Sequence, residues 1–353
     1  MGRCDASFGV IARKLVAARR AGQPVDAEGD VLAVPLTAVL LFEKPKAPGL
    51  ILAGIEARPM QVHQRDERFA AMFVDEARLA ASLHHPNIVR TLDFDRDEEG
   101  RLYLVMELID GVDASALRSR GPLEPRAVVH IACELLRALD YAHEREVDGR
   151  RVRLVHRDLS PHNIMLGWQG SVQLVDFGIA KAAEVSKVSQ SGSIKGKVGY
   201  MSPEQLRGEA LDGRSDLFSL GVVLHELLSG QRLFTGETQA ELITQVVDAP
   251  IPAPSTLRPE ISEALSTAVM TLLERDRLQR ATCANDALQL FLECPECHPR
   301  GRDELAALLE GSRRTGSLDE KPETESASEA ALPPPATPEP SRSRQPGWSG
   351  GDH

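Results

Sequence analysis

The chain has 353 residues, of which 42% are hydrophobic and only 4% aromatic, so aliphatic side chains and alanine must fill most of its core. Its formal net charge of −11 argues against nucleic acid as a main partner, because phosphate backbones are bound by clustered Lys and Arg. The sequence holds no membrane-length apolar run and no secretory signal pattern, so we expect no membrane span and a cytoplasmic location.

The first 57 residues are the least regular part of the sequence. Two runs of strand length, 31–42 and 50–55, flank a proline-containing segment that is typical of a turn. From residue 58 onwards the hydrophobic spacing becomes regular, and it predicts one helix followed by two strands: 68–83, 88–94 and 102–108.

Helical periodicity dominates the second half of the chain. The predicted helices are 125–145, 216–228, 239–247, 262–273 and 284–292. Residues 312–353 differ, because they hold seven of the 23 prolines and few aliphatic side chains. Such a segment cannot bury enough apolar surface to offset its ordering entropy, so we expect it to be disordered.

Two short motifs carry the chemistry. Residues 156–163 read His-Arg-Asp-Leu-Ser-Pro-His-Asn, and Asp176 starts an Asp-Phe-Gly sequence after an apolar run. A carboxylate such as Asp158 can accept the proton of an attacking hydroxyl, and the amide oxygen of Asn163 and the carboxylate of Asp176 suit Mg²⁺. Together the motifs resemble the catalytic and magnesium loops of eukaryotic-type protein kinases, which implies ATP and Mg²⁺ as cofactors. A turn or cap role for all three residues is a poor alternative.

The resemblance covers about residues 58–300 and is strongest to bacterial serine/threonine protein kinases. Residues 199–204 read Gly-Tyr-Met-Ser-Pro-Glu, which looks like the end of an activation segment. The resemblance implies that Asp216 binds the backbone of the catalytic loop from the start of a buried central helix. It also implies that Arg280 pairs with Glu204, in a buried ion pair that is costly to break from one side.

The sequence at 104–108, Leu-Val-Met-Glu-Leu, resembles the hinge between the two lobes of a kinase. The resemblance implies that six residues bind or orient ATP: Glu76, Met106, Glu107, Leu108, Asp113 and Met165. Met106 would be the gatekeeper, Glu107 and Leu108 would face adenine through backbone groups, and Met165 would form the apolar floor. Asp113 would contact ribose, and Glu76 would pair with the ATP-binding lysine. Core packing of the methionines and an exposed helix charge at Glu76 are the simpler interpretations.

Two positions near the catalytic aspartate depart from the family pattern. Ser160 stands where most members carry lysine, and Lys197 stands where many carry threonine. Lys195 or Lys197 would supply part of the missing charge. Arg157 precedes the catalytic aspartate, where the family often binds a phosphorylated residue, so we predict autophosphorylation of Ser191 or Ser193. A polar loop without this role is the alternative.

The expected phosphate loop and ATP-binding lysine are missing from residues 1–57 of the sequence. Gly49 and Gly54 have the first spacing of a P-loop, but Lys-Ser/Thr does not follow them. Arg58 is the cation nearest to the lysine position, and its planar head does not replace an ammonium freely. Either the chain is a degenerate kinase, or its first 57 residues come from a wrong reading frame or start.

One Cys-x-x-Cys pair, Cys294 and Cys297, is followed by His298. These residues offer at most three ligands, whereas a structural zinc site normally has four, so we interpret the cysteines as incidental.

We therefore predict an α+β fold with two lobes. A small antiparallel-sheet lobe covers 1–107, with an irregular start over 1–57, a helical large lobe covers 108–311, and a tail covers 312–353. The predicted function is ATP- and Mg²⁺-dependent phosphorylation of Ser or Thr on proteins, in bacterial signalling. One alternative is a pseudokinase that binds partners without turnover, as the missing loop and lysine suggest. The other is a small-molecule phosphotransferase, which the long activation segment argues against.

Overall fold

The computed structural model describes residues 37–41, 50–52, 55–57, 78–96, 102–118, 120–147, 150–151, 154–177 and 195–314. These residues form small antiparallel sheets towards the start of the chain and a mostly helical part after residue 113. The arrangement agrees with the α+β architecture that the sequence predicts.

Three strands form the sheet of the small lobe: β1 (Thr37–Leu41), β4 (Thr91–Arg96) and β5 (Leu102–Glu107). Both β1 and β4 pair antiparallel with β5, which lies in the middle. A separate hairpin joins β2 (Leu50–Leu52) and β3 (Ile55–Ala57). The strand predicted over 102–108 is present as β5, and the one predicted over 88–94 is shifted to β4. The described part of the run 31–42 is β1, whereas the run 50–55 forms β2 and the start of β3, so it belongs to a hairpin and is not one strand. Of the predicted helix over 68–83, residues 78–81 are helical, and residues 68–77 lie outside the described residues.

A second sheet follows the hinge and has the order β10-β9-β6, with strands β6 (Gly111–Asp113), β9 (Ile164–Gly167) and β10 (Val172–Leu174). A two-stranded ribbon comprises β7 (Glu146–Val147) and β8 (Arg150–Arg151). Glycine is required at 111, because a Cβ there would lie 2.1 Å from the carbonyl oxygen of Leu166 on β9. This close backbone approach brings β6 against the strand that follows the catalytic loop.

Ten labelled helices form most of the large lobe within the described ranges. They are α1 (Ala114–Arg118), α2 (Pro125–His143), α3 (Lys195–Val198), α4 (Pro203–Leu206), α5 (Gly213–Ser229), α6 (Gln239–Asp248), α7 (Pro254–Leu257), α8 (Glu263–Leu272), α9 (Ala284–Leu292) and α10 (Gly301–Arg314). All five predicted helices of this region are present, with bounds that differ by at most three residues at any end.

Two long helices organise the core. Helix α2 starts with Pro125, whose missing N–H is harmless in the first turn, and it buries apolar residues along one face. Helix α5 is buried all round over residues 215–228, as expected for a central helix. It begins at the N-cap Asp212 and ends at Gly230, which adopts a left-handed φ of 72°. The two helices pack against each other, and α8 packs on α5.

Helix α10 was not predicted from the sequence. It packs on α2 and buries Leu305 and Leu309, and it continues to Arg314, past the predicted lobe end at 311. Among the described residues, no helix combines the length and the apolar character that crossing a membrane requires.

Candidate active site

The catalytic loop rests on one buried carboxylate. Asp216, at the start of α5, accepts hydrogen bonds from the backbone amides of His156 and Arg157, at 2.8 and 2.9 Å. The Nε2 atom of His143 donates to the same carboxylate at 2.8 Å. Burial would raise the pKa of Asp216, but the His143 contact and the other donors outweigh it and hold the pKa below its usual range. The predicted bond from Asp216 to the loop backbone is confirmed.

These bonds hold an unusual backbone. Arg157 has a φ of 65°, in the left-handed region that disfavours non-glycine residues by roughly 1–2 kcal/mol. Its amide is bound by Asp216, and its carbonyl oxygen accepts a bond of 2.8 Å from the side chain of Gln205. Both peptide groups around the strained residue therefore have fixed partners, which stabilise the turn that presents the next residue, Asp158.

Asp158 lies at the centre of a small polar group. The Nδ2 atom of Asn163 donates to the carbonyl oxygen of Asp158 at 2.8 Å and to its Oδ2 atom at 3.3 Å. The ammonium of Lys197, on α3, lies 2.8 Å from the same Oδ2 atom. The structure thus brings together Asp158 and Asn163, which the sequence paired, and it places Lys197, one of the two lysines considered, in contact with Asp158.

His156 fastens the catalytic loop to the Asp-Phe-Gly segment. The amide of Asp158 donates to His156 Nδ1, so Nε2 carries the proton, and it donates to the carbonyl oxygen of Val175 at 3.0 Å. The amide of Val175 in turn donates to the carbonyl oxygen of Asn163 at 3.0 Å. Asp176 follows directly, with a left-handed φ of 57°. The two predicted Mg²⁺ ligands therefore lie on segments that are bonded to each other.

The donor set here suits Mg²⁺. Because Asn163 uses its amide nitrogen for Asp158, its Oδ1 oxygen is the atom suited to a cation, and the Asp176 carboxylate is the second candidate ligand. In the described parts of the chain, no group of three or more His, Cys, Asp or Glu residues is arranged for a metal. One amide and one carboxylate agree with the way Mg²⁺ binds in nucleotide sites, where phosphates and water complete its shell.

The predicted adenine residues lie at the end of β5. Met106 is buried and pairs in register with Thr91 on β4. Glu107 is exposed, and its amide already donates to the carbonyl oxygen of Arg90 at 2.9 Å. Adenine recognition by Glu107 would therefore fall to its carbonyl group rather than its amide. Leu108 is half-buried at the point where the strand ends.

Asp113 and Met165 are direct partners across the β6–β9 pair. The Oδ1 atom of Asp113 accepts bonds from the Ser115 hydroxyl and from the Ala116 amide, and Oδ2 lies 3.4 Å from His162 Nδ1. Burial would raise the pKa of Asp113, but the hydrogen bonds from His162 and Ser115 outweigh it and lower the pKa. A charged carboxylate and a half-buried Met residue thus occupy paired positions of the two strands, and their predicted contacts to ribose and adenine stay predictions.

The predicted Glu204–Arg280 pair is confirmed and buried. Two guanidinium nitrogens of Arg280 lie 2.9 and 3.3 Å from the two carboxylate oxygens of Glu204, and Ser215 donates to Glu204 at 2.8 Å. Burial would raise the pKa of Glu204, but Arg280 outweighs it and lowers the pKa. The guanidinium also lies 5.1 Å from the centroid of the Phe218 ring. The pair joins α4, the end of the activation segment, to the core.

Several contacts were not expected from the sequence. His143 has no motif that distinguishes it from other helix residues, and the bond from Gln205 to Arg157 joins positions 48 residues apart. The capping box between Ser202 and Gln205 was detectable, because the spacing Ser-x-x-Gln is its signature. Glu76, Ser191 and Ser193 lie outside the described residues, as does Arg58.

Tyr200 anchors the end of the activation segment to helix α5. Its buried hydroxyl donates to the Oε2 atom of Glu226 on α5 at 2.7 Å, and an Arg118 nitrogen lies 3.4 Å from the same oxygen. Burial raises the pKa of the Tyr200 hydroxyl, and the neighbouring Glu226 charge adds to the effect. The short segment from α3 to α4 is therefore fixed to the large lobe at both Tyr200 and Glu204.

Comparison with known proteins agrees with this geometry. The family model described as the protein kinase domain matches residues 57–291. The chain belongs to the protein kinase family, and its small antiparallel sheets and helical lobe are those of the protein kinase fold.

Its relatives include bacterial kinases that are named for different acceptor residues. The chain is 38% identical to the tyrosine-protein kinase MasK of Myxococcus xanthus, over 69% of this chain and 39% of MasK. It is 34% identical to the serine/threonine-protein kinase PknB of Mycobacterium tuberculosis, over 72% of this chain and 40% of PknB. The chain is 32% identical to the serine/threonine-protein kinase PrkC of Bacillus subtilis, over 64% of this chain and 34% of PrkC. The match thus spans about two fifths or less of each relative.

A solved structure supports the fold. The kinase domain of PknI from Mycobacterium tuberculosis is 27% identical, with a TM-score of 0.50, and the match covers 65% of this chain and 81% of that domain.

Proposed function

We propose that the chain transfers the γ-phosphoryl group of ATP to hydroxyl groups of proteins, with Mg²⁺ as cofactor. The observation that carries this proposal is the position of Asn163. Its side chain binds Asp158, at 2.8 and 3.3 Å, while its backbone accepts a bond of 3.0 Å from Val175, beside Asp176. One residue thus links the proposed base to the proposed metal ligands, which is the arrangement that phosphoryl transfer needs.

Asp158 acts on the acceptor. The substrate hydroxyl gives its proton to the Asp158 carboxylate while its oxygen forms a bond to the γ-phosphorus of ATP. The bond between the γ-phosphorus and the bridging β–γ oxygen breaks, and its electron pair leaves with ADP. Asn163 keeps the Asp158 carboxylate oriented, because it binds both the backbone and the side chain of that residue.

Asn163 and Asp176 would hold Mg²⁺. When bound, the ion neutralises negative charge on the phosphate oxygens. The protein fixes the positions of these two ligands through the bonds that Val175 makes to His156 and Asn163. Asp113 and Met165, which are cross-strand partners at the end of the β6–β9 pair nearest Asn163, would hold the ribose and adenine together with Met106.

The acceptor we propose is Ser or Thr. PknB and PrkC are named as serine/threonine kinases, and both align with the catalytic part of this chain. Tyrosine is a second candidate, because the relative MasK is named as a tyrosine kinase and is 38% identical. Phosphoamino-acid analysis of labelled protein separates the two: label on Ser or Thr supports the proposal, and label on Tyr alone overturns it.

We also propose that Arg157 binds a phosphorylated Ser191 or Ser193. In support, the Nε atom of Arg157 is buried and has no hydrogen-bond partner within the described part of the chain. A phosphate oxygen would satisfy such a donor strongly. Active protein should therefore carry phosphate at one of these serines by mass spectrometry. Full activity of a Ser191→Ala, Ser193→Ala double variant would contradict the proposal.

The decisive experiment measures phosphate incorporation by the purified chain with Mg²⁺ and labelled ATP. Asp158→Asn should lower the rate by about 10²–10⁴-fold, the usual contribution of a general base. Asp303→Asn removes an exposed carboxylate in the first turn of α10 and serves as the matched control, with an unchanged rate. Absence of both incorporation and ATP-dependent thermal stabilisation would favour the pseudokinase alternative instead.

A further inference from the structure

Lys197 reaches the proposed catalytic base from a distant part of the sequence. Its Nζ atom lies 2.8 Å from Oδ2 of Asp158, although 39 positions separate the two residues. The Asp158 side chain is 13% exposed and the Lys197 side chain 36%. The ion pair is thus partly open to solvent, at the place where the proposed function puts the γ-phosphoryl group and the acceptor hydroxyl.

Ser160 does not supply a charge at this site. It lies two residues after Asp158, at the position where the family resemblance leads one to expect lysine. Its side chain is buried, with 1% exposure, and its Oγ atom has no hydrogen-bond partner in the part of the chain that the structure describes. The loop therefore holds a small neutral side chain where a cation was expected, and the cation that contacts Asp158 comes from α3.

We propose that Lys197 takes over the role of the missing loop lysine, so that the activation segment and not the catalytic loop supplies the ammonium beside Asp158. This inference rests on the proposed kinase function. The Lys197 ammonium orients the Asp158 carboxylate towards the acceptor hydroxyl and neutralises charge next to the transferred phosphoryl group. Preorganised charges of this kind commonly contribute 10²–10³-fold to a rate.

The position of Lys197 depends on the fold of the segment around it. Val198 is fully buried, and Tyr200 is held by its bond of 2.7 Å to Glu226. Ser202 and Gln205 close a capping box at α4, and Gln205 also binds the carbonyl oxygen of Arg157. These contacts fix α3 relative to the catalytic loop. The ammonium reaches Asp158 only when this segment is folded, so the ordering of the segment completes the catalytic site.

The experiment uses the full chain and moves the charge between the two positions. Lys197→Met should lower kcat about 100-fold and change the KM for ATP by less than about threefold, because the lost contact is to the base rather than to adenine or ribose. Lys197→Arg should retain much more activity than Lys197→Met. The double variant S160K/K197M should have a kcat at least about tenfold higher than that of Lys197→Met, since it returns an ammonium to Asp158 from the catalytic loop.

Lys195→Met is the matched control, because it removes a positive charge from the same helix, and its kcat should stay within about threefold of the parent. Thermal unfolding is measured for every variant. The activity of S160K/K197M, which places a lysine at a buried position, is compared only if that variant is folded. If S160K/K197M does not fold, the comparison of Lys197→Arg with Lys197→Met decides.

Three results overturn the assignment while leaving the kinase function intact: unchanged or increased activity of Lys197→Met, equal losses in Lys195→Met and Lys197→Met, or no difference between Lys197→Arg and Lys197→Met. Increased activity would show that the ion pair blocks the base. An inactive parent chain would instead remove the proposed function, and the role of Lys197 with it.

Discussion

The two sides of the catalytic loop are built in opposite ways. Below the loop lie the anchoring residues, Asp216, His143, Glu204 and Arg280, which are buried and bonded to one another or to the loop backbone. Above the loop lies the reaction face, with Asp158, Lys197 and Asp113, whose side chains are between 13% and 36% exposed.

The difference follows from what each side must do. A buried charge is tolerated only when it is paired, so Asp216, Glu204 and Arg280 each have several fixed partners, and removing one leaves the others unsatisfied. The reaction face must admit ATP and an acceptor, so its groups stay partly open to solvent, and ion pairs that are open to solvent contribute little to stability. Changes below the loop should therefore act on folding, and changes above it on rate or affinity.

The largest effect is expected for Glu204→Gln. This change leaves the Arg280 guanidinium buried without its counter-charge, and breaking such a pair from one side costs about 3–5 kcal/mol. The loss should be seen as a lower midpoint of urea unfolding at neutral pH, with an unchanged slope. The exposed carboxylate of Glu260, which pairs with Arg258, provides the control, since Glu260→Gln should leave the midpoint nearly unchanged.

The same variant gives a test in acid. The folded-state pKa of Glu204 is below its ordinary value of about 4.3, because Arg280 outweighs the effect of burial. Its contribution to stability is therefore fully present above the ordinary pKa and is lost as the pH falls through the lower, folded-state value. The stability difference between the parent and Glu204→Gln should shrink below about pH 4. A difference that stays constant into acid would contradict this account of the pair.

A smaller loss of stability, with a large loss of rate, is expected for Asp216→Asn. Two backbone amides and His143 donate to this carboxylate, and bonds to a charged group are worth about 1.5–3 kcal/mol each. We expect about 2–4 kcal/mol lower stability and a kcat reduced about 100-fold, because the loop that carries Asp158 shifts. As the control, Asp212→Asn should leave both the stability and the kcat unchanged, since Asn is an equally good N-cap for the same helix. A normal kcat in folded Asp216→Asn would show that the loop does not depend on this anchor.

The smallest effect is expected on the reaction face, at Asp113. Asp113→Ser keeps an oxygen that can cap the Ala116 amide, but it is too short to reach a ribose hydroxyl. The KM for ATP should rise about three- to tenfold, as expected for one lost hydrogen bond, with kcat and the unfolding midpoint nearly unchanged. Steady-state kinetics at varied ATP concentration measures this effect. An unchanged KM would remove Asp113 from the nucleotide site.

The sequence predicted the anchoring residues well where a motif marks them. Asp216 and the Glu204–Arg280 pair were found because their motifs fix both residue type and spacing, and the core helices followed from hydrophobic periodicity. His143 was missed because a histidine inside an amphipathic helix carries no local signal, and only the packing of α2 against α5 brings it to Asp216.

The reaction face was harder to predict. The contact between Lys197 and Asp158 depends on how the chain folds between positions that are 39 residues apart, and both Lys195 and Lys197 agreed with the sequence. Glu107 is a second example. Its amide is bound by the carbonyl oxygen of Arg90, a contact between distant positions that the local sequence does not predict, and this contact leaves only the carbonyl group of Glu107 for adenine. Helix α10 was missed because polar and charged residues interrupt its short apolar stripe.

The last described helix changes where the domain should be considered to end. The kinase family match stops at residue 291, yet α10 lies beyond it and inserts Leu305 and Leu309 into the core against α2. Its first turn pairs Glu304 with Arg126 at 3.2 Å, and near its end Arg313 lies 5.0 Å from the centroid of the Trp168 ring. A fragment cut at the family boundary would expose an apolar strip of α2 to solvent, so we expect a fragment that ends at Arg314 to unfold at a higher temperature than one that ends at residue 291.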